Sequence, residues 1–291
     1  MTRLLAYLEL LRPRQWPKNA FVLTGLVFGH AWGDAQLVAS AVAATASFCL
    51  GAGAVYAFND CRDAPRDRLH PDKRRRPVAR GAVPVGAAYA LAAASAAAGL
   101  AAAAAWAGAG AAAMLAAYLA LNVAYSLGLK EIPVLDVFAI AAGFMLRLLA
   151  GTAGIGIEPS KWLLACGFLL TLFLGFAKRR AEIAQLAQDA GEHRAVLAAY
   201  STAFLDRAAF ACAAATVATY ALYTLDEETA ALHGTGDLIL TLPWVLLGTF
   251  RYLYRLHFRG GGGDPAEELL SDAVLMIAVA GWLGTVLWLI G

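Results

Sequence analysis

Charge is scarce in this chain. Asp, Glu, Lys and Arg make up 15% of its 291 residues, where soluble domains carry roughly 25%. Hydrophobic residues reach 60% and the mean hydropathy is +0.62, which excludes an ordinary soluble domain. The apolar runs are long and lack the alternation of a barrel strand, so the chain is predicted to be an all-α membrane protein. Cysteine is scarce too. Cys49, Cys61, Cys166 and Cys212 are scattered, with no CxxC or Cys/His spacing, which excludes a zinc site and a disulfide frame. Gly260-Gly261-Gly262-Gly263 lacks the GxGxxG context of a nucleotide fingerprint and reads as a flexible cytoplasmic loop. Met1 to Trp16 has no small-residue cleavage site. With Arg3, Arg12 and Arg14 among leucines, residues 1–18 read as an interfacial amphipathic helix and not a signal peptide. The net charge is only +2, and nucleic acid is not an expected partner.

What is present is a series of apolar spans of bilayer length. Nine are expected, near 19–33, 36–58, 83–106, 110–128, 134–152, 162–177, 207–225, 236–254 and 271–290. The first is the shortest. With the N-terminus in the cytoplasm, every Lys and Arg falls on the inner side except Lys161, which falls outside, and Arg147, which lies within a span. The positive-inside rule therefore favours nine crossings, N-terminus inside and C-terminus outside. The chain reads as one transmembrane domain, 1–291, in the cell's inner (plasma) membrane. Residues 86–118 are very Ala-rich, as suits close helix packing, and imply no chemistry.

The polar clusters all fall on the cytoplasmic side, and residues 59–82, read as a cytoplasmic catalytic loop, dominate them. Asp60, Asp63 and Asp67 step by three and then four residues, one face of a helix. Asn59 can add a side-chain carbonyl. Oxygen ligands at this spacing suit a hard cation such as Mg²⁺, and the basic run Lys73-Arg74-Arg75-Arg76 suits phosphates. Two other readings stay open. A solvated loop explains the arginines as well, though it explains the spaced aspartates poorly. Pro65 disfavours a regular helix and could leave Asp67 past a kink. The site is thus expected to join a soluble anionic substrate to a lipid-borne one.

These residues resemble a known family. Asn59-Asp60-x-x-Asp63-x-x-x-Asp67, then Arg68-x-His70-Pro71-x-Lys73-Arg74-x-Arg76-Pro77 and Tyr125-Ser126-x-x-Leu129-Lys130, are similar to the UbiA-type intramembrane prenyltransferase superfamily. Arg12-Pro13-Arg14-Gln15-Trp16-x-Lys18-Asn19, Arg147-x-x-Ala150-Gly151, Ser160-Lys161-Trp162 and Gly175-x-x-Lys178-Arg179-x-x-Glu182 resemble its phosphoribosyl-transferring branch. Members that move a prenyl group carry a second Asp-rich motif after the sixth helix. Here that place holds Lys178, Arg179 and Arg180, with only Glu182 acidic. The resemblance implies a nine-helix bundle and a Mg²⁺-dependent transfer of 5-phosphoribose from phosphoribosyl pyrophosphate (PRPP) to a polyprenyl phosphate.

It also implies roles. Asn59, Asp60, Asp63 and Asp67 would hold Mg²⁺-pyrophosphate. Lys73, Arg74 and Arg76, with Tyr125 and Lys130, would grip PRPP. Gln15, Lys18, Lys178 and Arg179 would serve the 5-phosphate or the lipid phosphate, with Lys178 and Arg179 equally readable as topology anchors. Arg147, deep in a span at a cost of roughly 2.5–3.5 kcal/mol, would face a wet cavity or phosphate, or else pair with a neighbouring helix. His70 reads as a loop hydrogen-bonder. A prenyltransferase proper and a transporter are the rival functions; a homo-oligomer is compatible with either.

Overall fold

The computed structural model describes residues 3–69, 73–186, 195–259, 261–263 and 265–291. His70, Pro71 and Gly260 of the sequence reading lie outside these residues. Those described form helices and turns without a strand. They divide into two units, Met1–Leu129 with Met145–Pro159, and Lys130–Phe144 with Ser160–Gly291.

The first unit opens with α1 (Arg3–Leu10). This helix is two-faced: Ala6 and Leu10 are buried, while Leu4, Leu5 and Leu8 are exposed. Arg12 then takes a left-handed conformation, φ 49°, and a 3-10 helix covers Pro13–Leu23. Pro13 and Pro17 have no N–H to give an α-helical ladder. A five-residue helix, α2 (Thr24–Phe28), follows. The long α3 (Ala35–Asp67) starts where the Asp34 carboxylate accepts from the Gln36 and Leu37 amides, an N-cap that satisfies two orphan donors. α4 (Val85–Ala102) widens into a π-helical turn, Ala103–Ala107, and breaks at Gly108, φ 105°, before α5 (Ala109–Leu127). α3 packs on α4, α5 and the 3-10 segment. Small residues also bring residues 151–152 against the 3-10 segment and α2. A Cβ on Gly151 would lie 1.6 Å from the Val22 carbonyl oxygen, and one on Gly25 would lie 1.9 Å from that of Gly151. One core gathers Val22, Phe48, Leu115 and Tyr118, and another Leu10, Ala57, Cys61, Val78 and Val83.

α6 (Leu135–Ala150) gives residues 135–144 to the second unit and 145–150 to the first. The second unit continues with α7 (Lys161–Leu186), α8 (Ala195–Ala198), α9 (Thr202–Leu225) and α10 (Glu227–His233). It ends with α11 (Leu242–Phe258), α12 (Pro265–Ser271) and α13 (Ala273–Ile290). α7 pairs with α9, and α11 with α13, around Val137, Phe173, Phe176, Leu205 and Leu256. The start of α13 is clamped. Asp272 caps it by accepting from the Val274 and Leu275 amides, and Arg251 and Arg255 both donate to the same carboxylate.

Seven of the described helices are long and apolar enough to cross a membrane. The pair Glu227–His233 and Asp237–Phe258, bent by 90°, makes an eighth if it is one span. The expected span at 19–33 is not a continuous α-helix: it is the end of the 3-10 helix, then α2, then turns. The prolines and the left-handed Arg12 account for this departure.

Candidate active site

α3 has 33 residues, about 50 Å at 1.5 Å per residue, against a hydrocarbon core of about 30 Å. It is longer than one crossing needs, and its polar last turns carry Asn59, Asp60, Asp63 and Asp67. The helix runs through Pro65 to Asp67. The expected loop at 59–82 is thus helical over its first nine residues, and Asp67 does not lie beyond the helix. Only the carbonyl that Pro65 leaves without its amide donor is lost to the ladder.

The carboxylates are drawn to arginines. Asp60, 1% exposed, receives Arg12 Nη2 on Oδ1 at 2.5 Å, with Arg76 Nη1 at 3.4 Å from the same oxygen. Arg76 Nη1 also donates to Asp67 Oδ2 at 2.7 Å. The Arg12 guanidinium lies over the Tyr56 ring, 5.0 Å from its centroid. Asp63 is half-buried. A cleft of about 760 Å³ opens here, with Arg12, Arg14, Lys73, Arg75 and Arg76 in its wall beside Glu9, Asp60 and Gln15, and with Leu5 and Leu8 as its apolar part. Five cations against two carboxylates leave the cleft strongly positive, which suits a polyphosphate.

Of the residues expected to bind substrate, the cleft brings together Gln15, Asp60, Lys73 and Arg76. Arg74 is exposed and outside its wall, as is the half-buried Lys18. Asn59 accepts from the Ser126 hydroxyl, which ties the end of α3 to the end of α5. Tyr125 is half-buried one residue away. Lys130, Lys178 and Arg179 belong to the second unit.

Two arginines are held by side chains outside the cleft. Arg147 is 6% exposed. It donates from Nε to Asn19 Oδ1 at 2.8 Å and from Nη2 to the Tyr118 hydroxyl at 2.9 Å, and it lies over that ring at 4.4 Å. It is a helix-to-helix tie, the second of its two readings. Arg179, 1% exposed, donates from Nε to Asp136 Oδ2 at 2.6 Å and from Nη1 to Glu182. Tyr200 completes this buried group, donating to Asp136 Oδ1 at 2.6 Å and accepting from the Val134 amide. Burial first, then the Asp136 carboxylate, push the Tyr200 phenol up to about 12.

The site can be tested for Mg²⁺. Among the described residues no group of three or more His, Cys, Asp or Glu side chains could hold a metal unaided. One oxygen remains available: Asp60 Oδ2 is buried with no hydrogen-bond partner among those residues. A single buried carboxylate, with a second two turns along the same helix, suits Mg²⁺ that takes its other ligands from phosphate oxygens and water.

Arg12, Arg14 and Arg75 line the cleft without having been assigned to it. The first two stand in the Arg12-Pro13-Arg14-Gln15 motif, which was signal enough. Ser126 stands in the Tyr125-Ser126 motif without a role assigned to it; Asp136 and Tyr200 carried no signal, since single polar residues at span edges are common.

Apolar helices of bilayer length and a cationic cleft at the end of the longest define a membrane protein built to handle phosphates. Residues 19–259 match the model of the UbiA prenyltransferase family, and the chain belongs to that family. It is 34% identical over 282 residues to the decaprenyl-phosphate phosphoribosyltransferase of Corynebacterium glutamicum, covering 95% of this chain and 84% of that one. It is also 34% identical to the protein of that name from Mycolicibacterium smegmatis, covering 96% and 90%. The Mycobacterium tuberculosis protein of the same name is 31% identical over 95% and 91%. Among solved structures, a UbiA homolog from Archaeoglobus fulgidus bound to GPP and Mg²⁺ superimposes with a TM-score of 0.71. It is 22% identical and covers 98% of this chain and 99% of that one.

Proposed function

We propose that this protein transfers 5-phosphoribose from PRPP to a polyprenyl phosphate such as decaprenyl phosphate, releasing pyrophosphate, at the cytoplasmic face of the cell membrane. The observation that carries the reading is the cleft: five cationic side chains around one buried carboxylate, in a chain whose curated relatives bear that activity in their names. The acceptor phosphate is already ionised near neutral pH, so no strong general base is required. One phosphate oxygen forms a bond to the ribose anomeric carbon as the bond from that carbon to pyrophosphate breaks. Both substrates are anions, and the chain's cations hold them side by side. Positioning of this kind supplies a large share of such a rate enhancement.

Asp60 would hold the cation, with Asp63, Asp67 and Asn59 on the same stretch of α3 completing its surroundings. Mg²⁺, when bound, neutralises charge building on the departing pyrophosphate. Arg12, Arg76 and Lys73 would grip the diphosphate, and Arg14, Gln15 and Arg75 the remaining phosphate. Arg74 and Tyr125 remain proposed for PRPP and Lys18 for the 5-phosphate or the lipid phosphate; Lys130 and Lys178, in the second unit, remain proposed as phosphate ligands. For topology we propose a single transferase domain crossing nine times, with an inner N-terminus and an outer C-terminus. The segment 19–33 then completes a crossing with its mixed helices, and the bent pair counts as one.

The test is mass spectrometry of the lipid product formed by the purified protein from PRPP, Mg²⁺ and decaprenyl phosphate. A product heavier than the acceptor by one phosphoribosyl group is expected. Turnover with a prenyl diphosphate and not with PRPP would reject the proposal. The Asp60→Ala variant is expected to lose at least about 100-fold in turnover while still inserting in the membrane.

A further inference from the structure

Resting on the phosphoribosyl-transfer reading above, we propose that Arg12 and Arg76 are exchange partners for the site's carboxylates. They hold Asp60 and Asp67 until substrate arrives, then pass to the pyrophosphate as the cation takes those oxygens, so that cation and pyrophosphate bind only as a unit.

The geometry separates fixed groups from movable ones. Asp60 and Asp67 are 1% and 4% exposed and stand on a regular helix. Buried carboxylates need a compensating charge at all times. The two arginines that supply it, at 2.5 Å and 2.7 Å, have side chains that are 29% and 26% exposed, and both line the cleft. Each can swing into the cleft without repacking a core. Arg12 has a further support in the Tyr56 ring, which holds a guanidinium whether or not a carboxylate accompanies it.

Charge balance then dictates the coupling. A divalent cation arriving alone can take the free Asp60 Oδ2, but its charge then stands unneutralised beside two guanidiniums already held by Asp60 Oδ1 and Asp67. Pyrophosphate arriving alone must approach the buried Asp60 carboxylate and compete with it for the same arginines. Arriving together, the cation takes the carboxylates and the pyrophosphate takes the arginines, whose planar forks match phosphate oxygens in pairs. Arg12 is thus a positioning residue in the free protein and a phosphate ligand in the loaded one.

The experiment uses the full-length protein in nanodiscs. Mn²⁺ is titrated alone by electron paramagnetic resonance, and labelled pyrophosphate is titrated with a chelator present or with Mn²⁺. Wild type is expected to bind Mn²⁺-pyrophosphate and each component alone at least about tenfold more weakly. Arg12→Gln is expected to bind Mn²⁺ alone about tenfold tighter than wild type and Mn²⁺-pyrophosphate more weakly. Asp60→Asn, which releases Arg12 and leaves Arg76 to Asp67 alone, is expected to bind metal-free pyrophosphate about tenfold tighter than wild type. If Arg12 merely props Asp60, Arg12→Gln weakens Mn²⁺ binding as well, and the exchange is refuted. If Arg12→Gln does not fold, the Asp60→Asn arm decides alone, and unchanged or weaker pyrophosphate binding there overturns the proposal. Wild type that binds no Mn²⁺-pyrophosphate would instead overturn the functional reading beneath it.

Discussion

Removing Asp136 tests whether Arg179 is part of the fold or part of the substrate grip. Asp136 is fully buried and Arg179 is 1% exposed. Their ion pair is 2.6 Å long, and Tyr200 donates to the other carboxylate oxygen at 2.6 Å. Asp136→Ala would leave the buried guanidinium with Glu182, a carboxylate 22% exposed, and strip the Tyr200 hydroxyl of its acceptor. Breaking one side of a buried pair costs about 3–5 kcal/mol. For a chain of this size that lowers Tm by roughly 10 °C. The assay is thermal unfolding of the detergent-solubilised protein, followed by tryptophan fluorescence. Arg179→Met should fall by a similar amount. The double variant Asp136→Ala with Arg179→Met should recover at least about half of the summed loss, because neither charge is then left alone. A Tm within about 2 °C of wild type for Asp136→Ala, or a Km effect of Arg179→Met at unchanged Tm, would refute this reasoning and return Arg179 to the substrate.

Two further outcomes follow from the geometry. Asp272, hydrogen-bonded foremost by Arg251, has its carboxyl held well below the ordinary value of 3.8. A carboxyl held low in the folded state contributes stability above the unfolded chain's value and loses it as pH falls through the folded one. Asp272→Asn should therefore unfold at a lower temperature than wild type at pH 7, with the gap closing below about pH 4, as thermal scans across that range would measure. Gly151→Ala places a methyl 1.6 Å from the Val22 carbonyl oxygen and should cost at least about 3 kcal/mol, read as lower yield of folded protein and lower Tm; an unchanged Tm would mean the backbone there yields.

Much of this was legible from residue pattern. Long apolar runs fixed the helical class, since unpaired backbone cannot sit in lipid. The spacing of Asp60, Asp63 and Asp67 placed them on one helical face, and the helix is there. Gln15, Lys73 and Arg76, singled out from their motifs, line the cleft. The misses have physical causes. The stretch 19–33 is apolar enough to span, but hydropathy is blind to Pro13, Pro17 and the left-handed turn at Arg12 that divert the chain. Lys178 and Arg179 are adjacent on α7, so they point to different sides, and burial of Arg179 depends on Asp136, 43 positions upstream. Arg147 makes the helix pairing that was one of its two readings, though its partners Asn19 and Tyr118 lie in no local window. Long-range pairing of this sort leaves no periodic trace.

The exposed leucines of α1 bear on how turnover must be measured. Leu5 and Leu8 stand at once on that helix's outer face and in the wall of the cationic cleft. On the proposed function, an isoprenoid acceptor would reach the cations by lateral diffusion within the leaflet and not by leaving it. Its effective concentration is a mole fraction of the surrounding lipid, so diluting the acceptor with inert phospholipid at constant bulk amount should slow the reaction, while diluting the whole suspension at fixed PRPP and Mg²⁺ concentration should leave the rate per enzyme unchanged.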